Sequence, residues 1–179
     1  MMPDPARIVG MARRRASVAA AVACLITSTA HAEDNPVVAA IEAAYLTKFA
    51  AFIEWPPGAP DALCVLASDA IGRLIEQAES KLPADAGPAN VRRLQSESPA
   101  AECGVLFISD PDRDAAMPPM APATLVVTDR AAEGRKGVIN FVIRDDRVRF
   151  EIDDAEAARR GLTISSKLLS LAVFVKPRA

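Results

Sequence analysis

The sequence predicts an α/β fold: a single layered domain with a mostly parallel central sheet, flanking helices and a C-terminal antiparallel hairpin. Three observations carry that prediction. Three short apolar runs, residues 63–67, 104–108 and 124–127, are too short for helices and are apolar on both faces, as buried parallel strands are. Helical or turn-rich segments separate them. Near the end, two alternating runs flank the polar tetrapeptide Arg144-Asp145-Asp146-Arg147, the pattern of a hairpin.

Ahead of these elements, residues 1–32 read as a cleavable secretory signal. Arg13-Arg14-Arg15 is its positive region, residues 16–26 its apolar core, and Ala30-His31-Ala32 offers small residues for cleavage between Ala32 and Glu33. The apolar stretch is about half of the ~20 residues a membrane span requires. Cys24 follows Ala21-Val22-Ala23, which lacks the leucine of a lipoprotein site. The working domain is therefore expected at residues 33–179, exported and without a transmembrane segment. Cleavage removes four arginines and Asp4, which moves the formal charge from −2 to −5 and argues against a nucleic-acid partner. It also removes His31, the single histidine, and with it the common hydrolase and zinc chemistries. No cofactor or metal is expected.

The remaining elements follow in chain order. Asn35-Pro36 supplies an N-cap and a proline at the first helical position. Val38, Ile41, Tyr45, Phe49 and Phe52 then recur as one apolar helix stripe, which Trp55-Pro56-Pro57-Gly58 ends. The three strands end in Ser68-Asp69, Ser109-Asp110 and Thr128-Asp129. Between the first two lie a helix over 71–81, a Pro/Gly-rich loop over 83–89 and a short strand over 91–94. Between the second and third lies a short helix ended by Pro118-Pro119. The hairpin pairs 138–143 with 148–152. Asp153 or Asp154 caps a short helix that stops at Gly161. Ser165 or Ser166 caps a final helix carrying Leu168, Leu169, Leu171, Ala172 and Val175.

Chemistry is sparse along this frame. Asp69, Asp110 and Asp129 stand at strand ends, where open parallel sheets bind ligands, but an Asp or Ser between strand and helix is first of all a helix cap. Ser165-Ser166-Lys167 lacks Ser-x-x-Lys spacing, because position 164 is Ile. Residues two apart on a helix point apart, so a cap and a helix-ending lysine is the better reading. No enzyme is expected. Cys64 and Cys103 each stand at or just before a strand start, at one end of the sheet, in a compartment where thiols are oxidised. Adjacent strands would bring their Cα atoms within the ~4.4–6.8 Å a disulfide needs; two buried free thiols are the alternative. A redox-active pair is ordinarily closer in sequence, so the bridge reads as structural. The first helix is the candidate interaction surface, with Tyr45, Leu46, Phe49, Phe52, Ile53 and Trp55 as its partner-binding set. A wide core face is the competing reading.

Taken together, these motifs resemble the YfiR family of periplasmic proteins. The resemblance runs through Ala44-Tyr45-Leu46-x-x-Phe49-x-x-Phe52-x-Glu54-Trp55-Pro56, Leu63-Cys64-Val65-Leu66, Cys103-x-x-Leu106-Phe107-Ile108-Ser109 and Thr124-Leu125-Val126-Val127-x-Asp129. It is most specific at the end: Gly137-x-Ile139-Asn140-Phe141, Val148-Arg149-Phe150-Glu151-Ile152-Asp153, and Gly161-Leu162-x-Ile164-Ser165-Ser166-Lys167-Leu168-Leu169-x-Leu171-Ala172. The resemblance implies regulation: binding to the periplasmic domain of an inner-membrane diguanylate cyclase, which is held inactive until envelope or redox stress releases it. Cyclic-di-GMP and attached growth then rise. A homodimer is a further assembly to consider, and a periplasmic small-molecule sensor is the alternative function. Cys64 and Cys103 are similar to a pair the family uses as a disulfide. A second pair found in some members is missing here, so a redox switch built on that second pair is not expected.

Overall fold

Asn35 starts the first helix as the sequence predicts. Its side chain accepts from the Val37 amide at 3.0 Å, and Pro36 opens α1 (Pro36–Phe49). The structure is a computed structural model that describes residues 35–83, 90–95, 98–109, 117–129 and 136–178. The expected signal, Ala32 and Glu33 included, lies outside the described residues, as do Cys24, the segment 84–89 and the helix expected after Asp110. All described residues belong to one compact unit, His31–Ala179.

Helix α1 stops at Phe49, earlier than the prolines at 56 and 57 imply. A 3-10 turn, Ala50–Phe52, leads into strand β1 (Ile53–Glu54), which pairs antiparallel with β8 (Thr163–Ile164). This pairing overrides continued helix, because it gives Ile53 a buried place against Ile164. The buried face of α1 is also rotated from the expected stripe. Ala39, Glu42, Ala43, Leu46, Thr47 and Phe49 face inward, while Val37 and Ile41 are 64% and 40% exposed. The segment is apolar almost all round, so periodicity alone assigns no single inward direction.

The main sheet has seven strands in the order β3-β2-β4-β5-β6-β7-β9. Its centre is the three apolar runs: β2 (Ala62–Ala67), β4 (Cys103–Ser109) and β5 (Leu125–Thr128), parallel to one another and buried on both faces. The short β3 (Val91–Arg93) adds parallel to β2 at one edge. Between β2 and β3 runs α2 (Asp69–Glu79), capped by Ser68, whose hydroxyl accepts from the Ile71 amide at 3.5 Å. On the other side β6 (Ile139–Arg144) runs parallel to β5 and antiparallel to β7 (Arg147–Asp153). The hairpin turns on Asp145 and Asp146, at φ 49° and 56°, the left-handed pair of a type I′ turn.

Beyond the hairpin, Asp153 accepts from the Glu156 amide at 2.8 Å and caps α3 (Asp154–Arg159). Gly161 at φ 73° then turns the chain back. Ser165 caps α4 (Ser166–Leu169), which is far shorter than expected: Val175 belongs to a further strand, β9 (Phe174–Lys176), parallel to β7. The β-branched and aromatic run Val173-Phe174-Val175 prefers an extended chain, and β7 has an edge to receive it.

One face of the sheet carries the four α-helices found among the described residues. Phe49 of α1 stacks among Tyr45, Phe141 and Phe150, with centroids 5.3–6.0 Å from its own, and Ile75, Ala157 and Leu168 bring in the other helices. On the opposite face, Cys64, Cys103, Leu106, Ile108 and Val126 pack beneath Ala100, Met117 and Met120 of the connecting segments.

Candidate interaction surface and the disulfide

Cys64 and Cys103 are bonded in the structure, with Cα atoms 5.6 Å apart and both side chains buried. The route to that geometry is not the one the sequence implies. Cys64 lies two residues inside β2 rather than at its start, opposite Leu106, whereas Cys103 lies opposite Ala62. Strict alternation would set Cys103 on the helical face with Val105 and Phe107. A bulge reverses it: Ala62 pairs with Cys103 but Leu63 pairs with Val105, leaving Gly104 as the extra residue. Cys103 therefore shares the face of Cys64. Only glycine fits at the bulge, because a Cβ on Gly104 would stand 2.1 Å from the Pro60 carbonyl oxygen.

Six aromatic and aliphatic residues were expected to form the partner-binding set, and the structure separates them. Leu46, Phe49 and Ile53 are core side chains, 1%, 1% and 7% exposed. Tyr45, Phe52 and Trp55 are half-buried against that core. The Trp55 indole donates to the Ala50 carbonyl at 3.4 Å, and the Lys167 ammonium stands 5.7 Å from the Phe52 ring centroid. Two motifs far apart in the chain thus meet: β1 pairs with β8, and the Ser165 amide donates to the Phe52 carbonyl at 2.9 Å. The outward face of α1 is carried by other residues. Val37, Ala40, Ile41 and Ala44 line an apolar groove of about 660 Å³ that Tyr45 and Lys48 border.

Of the strand-end acids, Asp129 follows β5 with its amide donating to the Ile108 carbonyl at 3.4 Å, and Asp69 takes a structural role. Asp69 sits in the first turn of α2, where a negative charge suits the helix dipole, and reaches Arg93 at 3.4 Å. Arg93 binds Glu76 more closely, at 2.6 and 2.7 Å, and that hydrogen bond holds the Glu76 carboxyl below the usual range. Asp110 lies outside the described residues. Among the described residues, no group of three or more His, Cys, Asp or Glu is placed to hold a metal ion. Ser165 is a helix cap, its hydroxyl accepting from the Leu168 amide at 3.3 Å.

Two structural devices escaped the sequence reading. The Asn140 carboxamide accepts from the Thr128 hydroxyl at 2.7 Å and the Gly137 amide at 2.8 Å, and donates to the Gly137 carbonyl at 3.1 Å. It locks the approach to β6 onto β5. Arg178 forms a fork on Asp154, at 2.8 and 3.0 Å, and also donates to the Leu162 carbonyl at 3.0 Å. The tail is thereby tied to the start of α3. An Asn two residues beyond a Gly-x pair, or an Arg near a chain end, carries no local signal for either contact.

The family model described as YfiR/HmsC-like matches residues 39–173, about three quarters of the chain. The chain belongs to the YfiR/HmsC-like family. The match takes in α1 almost from its start, the bulged disulfide pair, the Asn140 clamp and the α4–β9 connection. No curated protein matches the chain. No helix among the described residues is long and apolar enough to cross a membrane.

Proposed function

We propose that this protein is a periplasmic regulator that binds the periplasmic domain of an inner-membrane diguanylate cyclase, or a similar signalling protein, and lowers cyclic-di-GMP output. The observation that carries this reading is membership of the YfiR/HmsC-like family across residues 39–173. The signal-like residues 1–32 support it, since they would deliver the domain to the compartment where such a partner is exposed. The reading assigns the chain no catalytic step and no cofactor, and treats the Cys64–Cys103 bridge as a structural brace. The periplasmic form should begin at Glu33, which intact mass measurement of periplasmic material checks.

Deleting the gene is expected to raise cyclic-di-GMP and surface attachment, with both restored by the exported chain. Unchanged cyclic-di-GMP, together with no membrane signalling protein co-purifying from solubilised envelope, sinks the proposal. The sensor alternative would place a ligand at the carboxyl ends of β4 and β5. Those strands lead into segments outside the described residues, so no observation favours it.

A further inference from the structure

A second, smaller groove of about 310 Å³ runs between α1 and α2 and joins the first along Ala40, Ala44 and Lys48. Its walls are two helical stripes. Positions 40, 44, 47 and 48 come from α1; positions 74, 77, 78 and 81 come from α2 and the residues just after it. The first set is spaced i, i+4, i+7, i+8 and the second i, i+3, i+4, i+7, each one face of a helix. The floor is shallow and apolar, because Ala40, Ala44 and Ala78 keep the two backbones close to the surface. From Pro36 to Lys48 the helix rises about 18 Å, room for roughly three turns of a docked helix.

The groove is also charged in one sense. Lys48 and Lys81 border it, and neither makes an ion pair with a described residue, whereas seven of the twelve other described basic side chains do. An exposed, unpaired lysine beside an apolar floor favours an incoming carboxylate. Pairing of this groove with the same groove of a second copy fits poorly, because its lining carries Lys48 and Lys81 and no acid.

We propose that this groove holds an acidic amphipathic helix of a partner protein, its apolar side chains over Ala40, Ala44 and Ala78 and its carboxylates at Lys48 and Lys81. The inference rests on the regulatory reading and adds the chemistry of the segment the regulator grips.

Two synthetic helical peptides test it by fluorescence anisotropy against the purified exported chain. Both carry the same leucine register at i, i+3, i+4 and i+7; one is flanked by glutamates and the other by lysines. The acidic peptide should bind at least about tenfold more tightly, with the preference fading at high salt. Lys48→Glu/Lys81→Glu should reverse the preference, and Ala44→Glu, at an exposed helical position, should weaken the acidic peptide while leaving the melting temperature near wild type. Equal binding of the two peptides, no binding, or a double reversal that leaves the preference unchanged overturns the proposal. The cellular arm separates the two readings. If deletion raises cyclic-di-GMP but both groove variants repress like wild type, the regulator stands and the groove falls. If deletion changes nothing, the regulatory reading falls, and the peptide preference alone decides the groove.

Discussion

Replacing Cys64 and Cys103 together by alanine removes the one covalent link between β2 and β4. The sequence separation of 39 residues gives a loop-closure contribution of about 4 kcal/mol on the chain-entropy model. Both side chains are essentially unexposed, at 0% and 1%, so lost packing beneath Ala100 and Met120 adds about 1 kcal/mol. Alanine is the informative replacement, since serine would also bury an unpaired hydroxyl. For a domain of this size each kcal/mol is worth about 2–4 °C, so the melting temperature should fall by roughly 10–20 °C. Urea denaturation of the oxidised protein and the double variant measures the loss directly, and the slope should rise because the unlinked chain exposes more surface when unfolded. In cells, repression should decline in proportion to abundance. A loss below about 1 kcal/mol would refute the entropic brace. A double variant that is abundant and folded yet fails to repress would instead make the bridge a switch.

Three further outcomes follow from the geometry. Gly104→Ala forces a Cβ against the Pro60 carbonyl and should cost about 3 kcal/mol, with a measurable fraction of free thiol after oxidative refolding because the bulge no longer aims Cys103 at Cys64. Asn140→Ala strands the Thr128 hydroxyl and the Gly137 amide and should cost about 2–3 kcal/mol in urea, with faster amide exchange at Gly137 and Val138. Stability should hold between pH 8 and about 5 and fall below about pH 4. Burial alone would raise the Asp153 and Glu156 carboxyls, but hydrogen bonds from Lys176 and the Glu156 amide to Asp153, and from Arg159 and Arg160 to Glu156, hold both below the ordinary range. A carboxylate with a lowered folded-state pKa stabilises above its unfolded pKa and stops doing so as pH falls through the folded one. Lys176→Ala should therefore flatten the acid limb of a pH series of urea midpoints, and an unchanged limb would remove Asp153 from the account.

What the sequence determines by itself is local. Caps at Asn35 and within Ser68-Asp69, Asp153-Asp154 and Ser165-Ser166 are legible because a short polar side chain before a helical run satisfies free amides wherever the chain goes afterwards; the structure uses the first residue of each pair. The three apolar runs form central parallel strands because residues apolar on both faces have nowhere else to be buried. The Asp145-Asp146 turn and its hairpin are equally legible, being set by neighbours in the chain.

Tertiary structure decided the features that depend on a distant partner. The direction α1 faces was settled by the rings of Phe141 and Phe150, about a hundred residues away, and not by its own nearly uniform apolar pattern. The early end of α1 depends on β8, and the final strand exists because β7 offers an edge. The disulfide shows the division most clearly. Residue type and strand order bring two cysteines to adjacent strands, yet the parity of β4 would aim them at opposite faces. One inserted residue, a glycine because any Cβ there would strike the Pro60 carbonyl, turns Cys103 to the side where Cys64 waits. A strand alternates with period two, so a single extra residue reverses every side chain on one side of it. No composition or spacing rule marks where that residue stands until the neighbouring strand is in place.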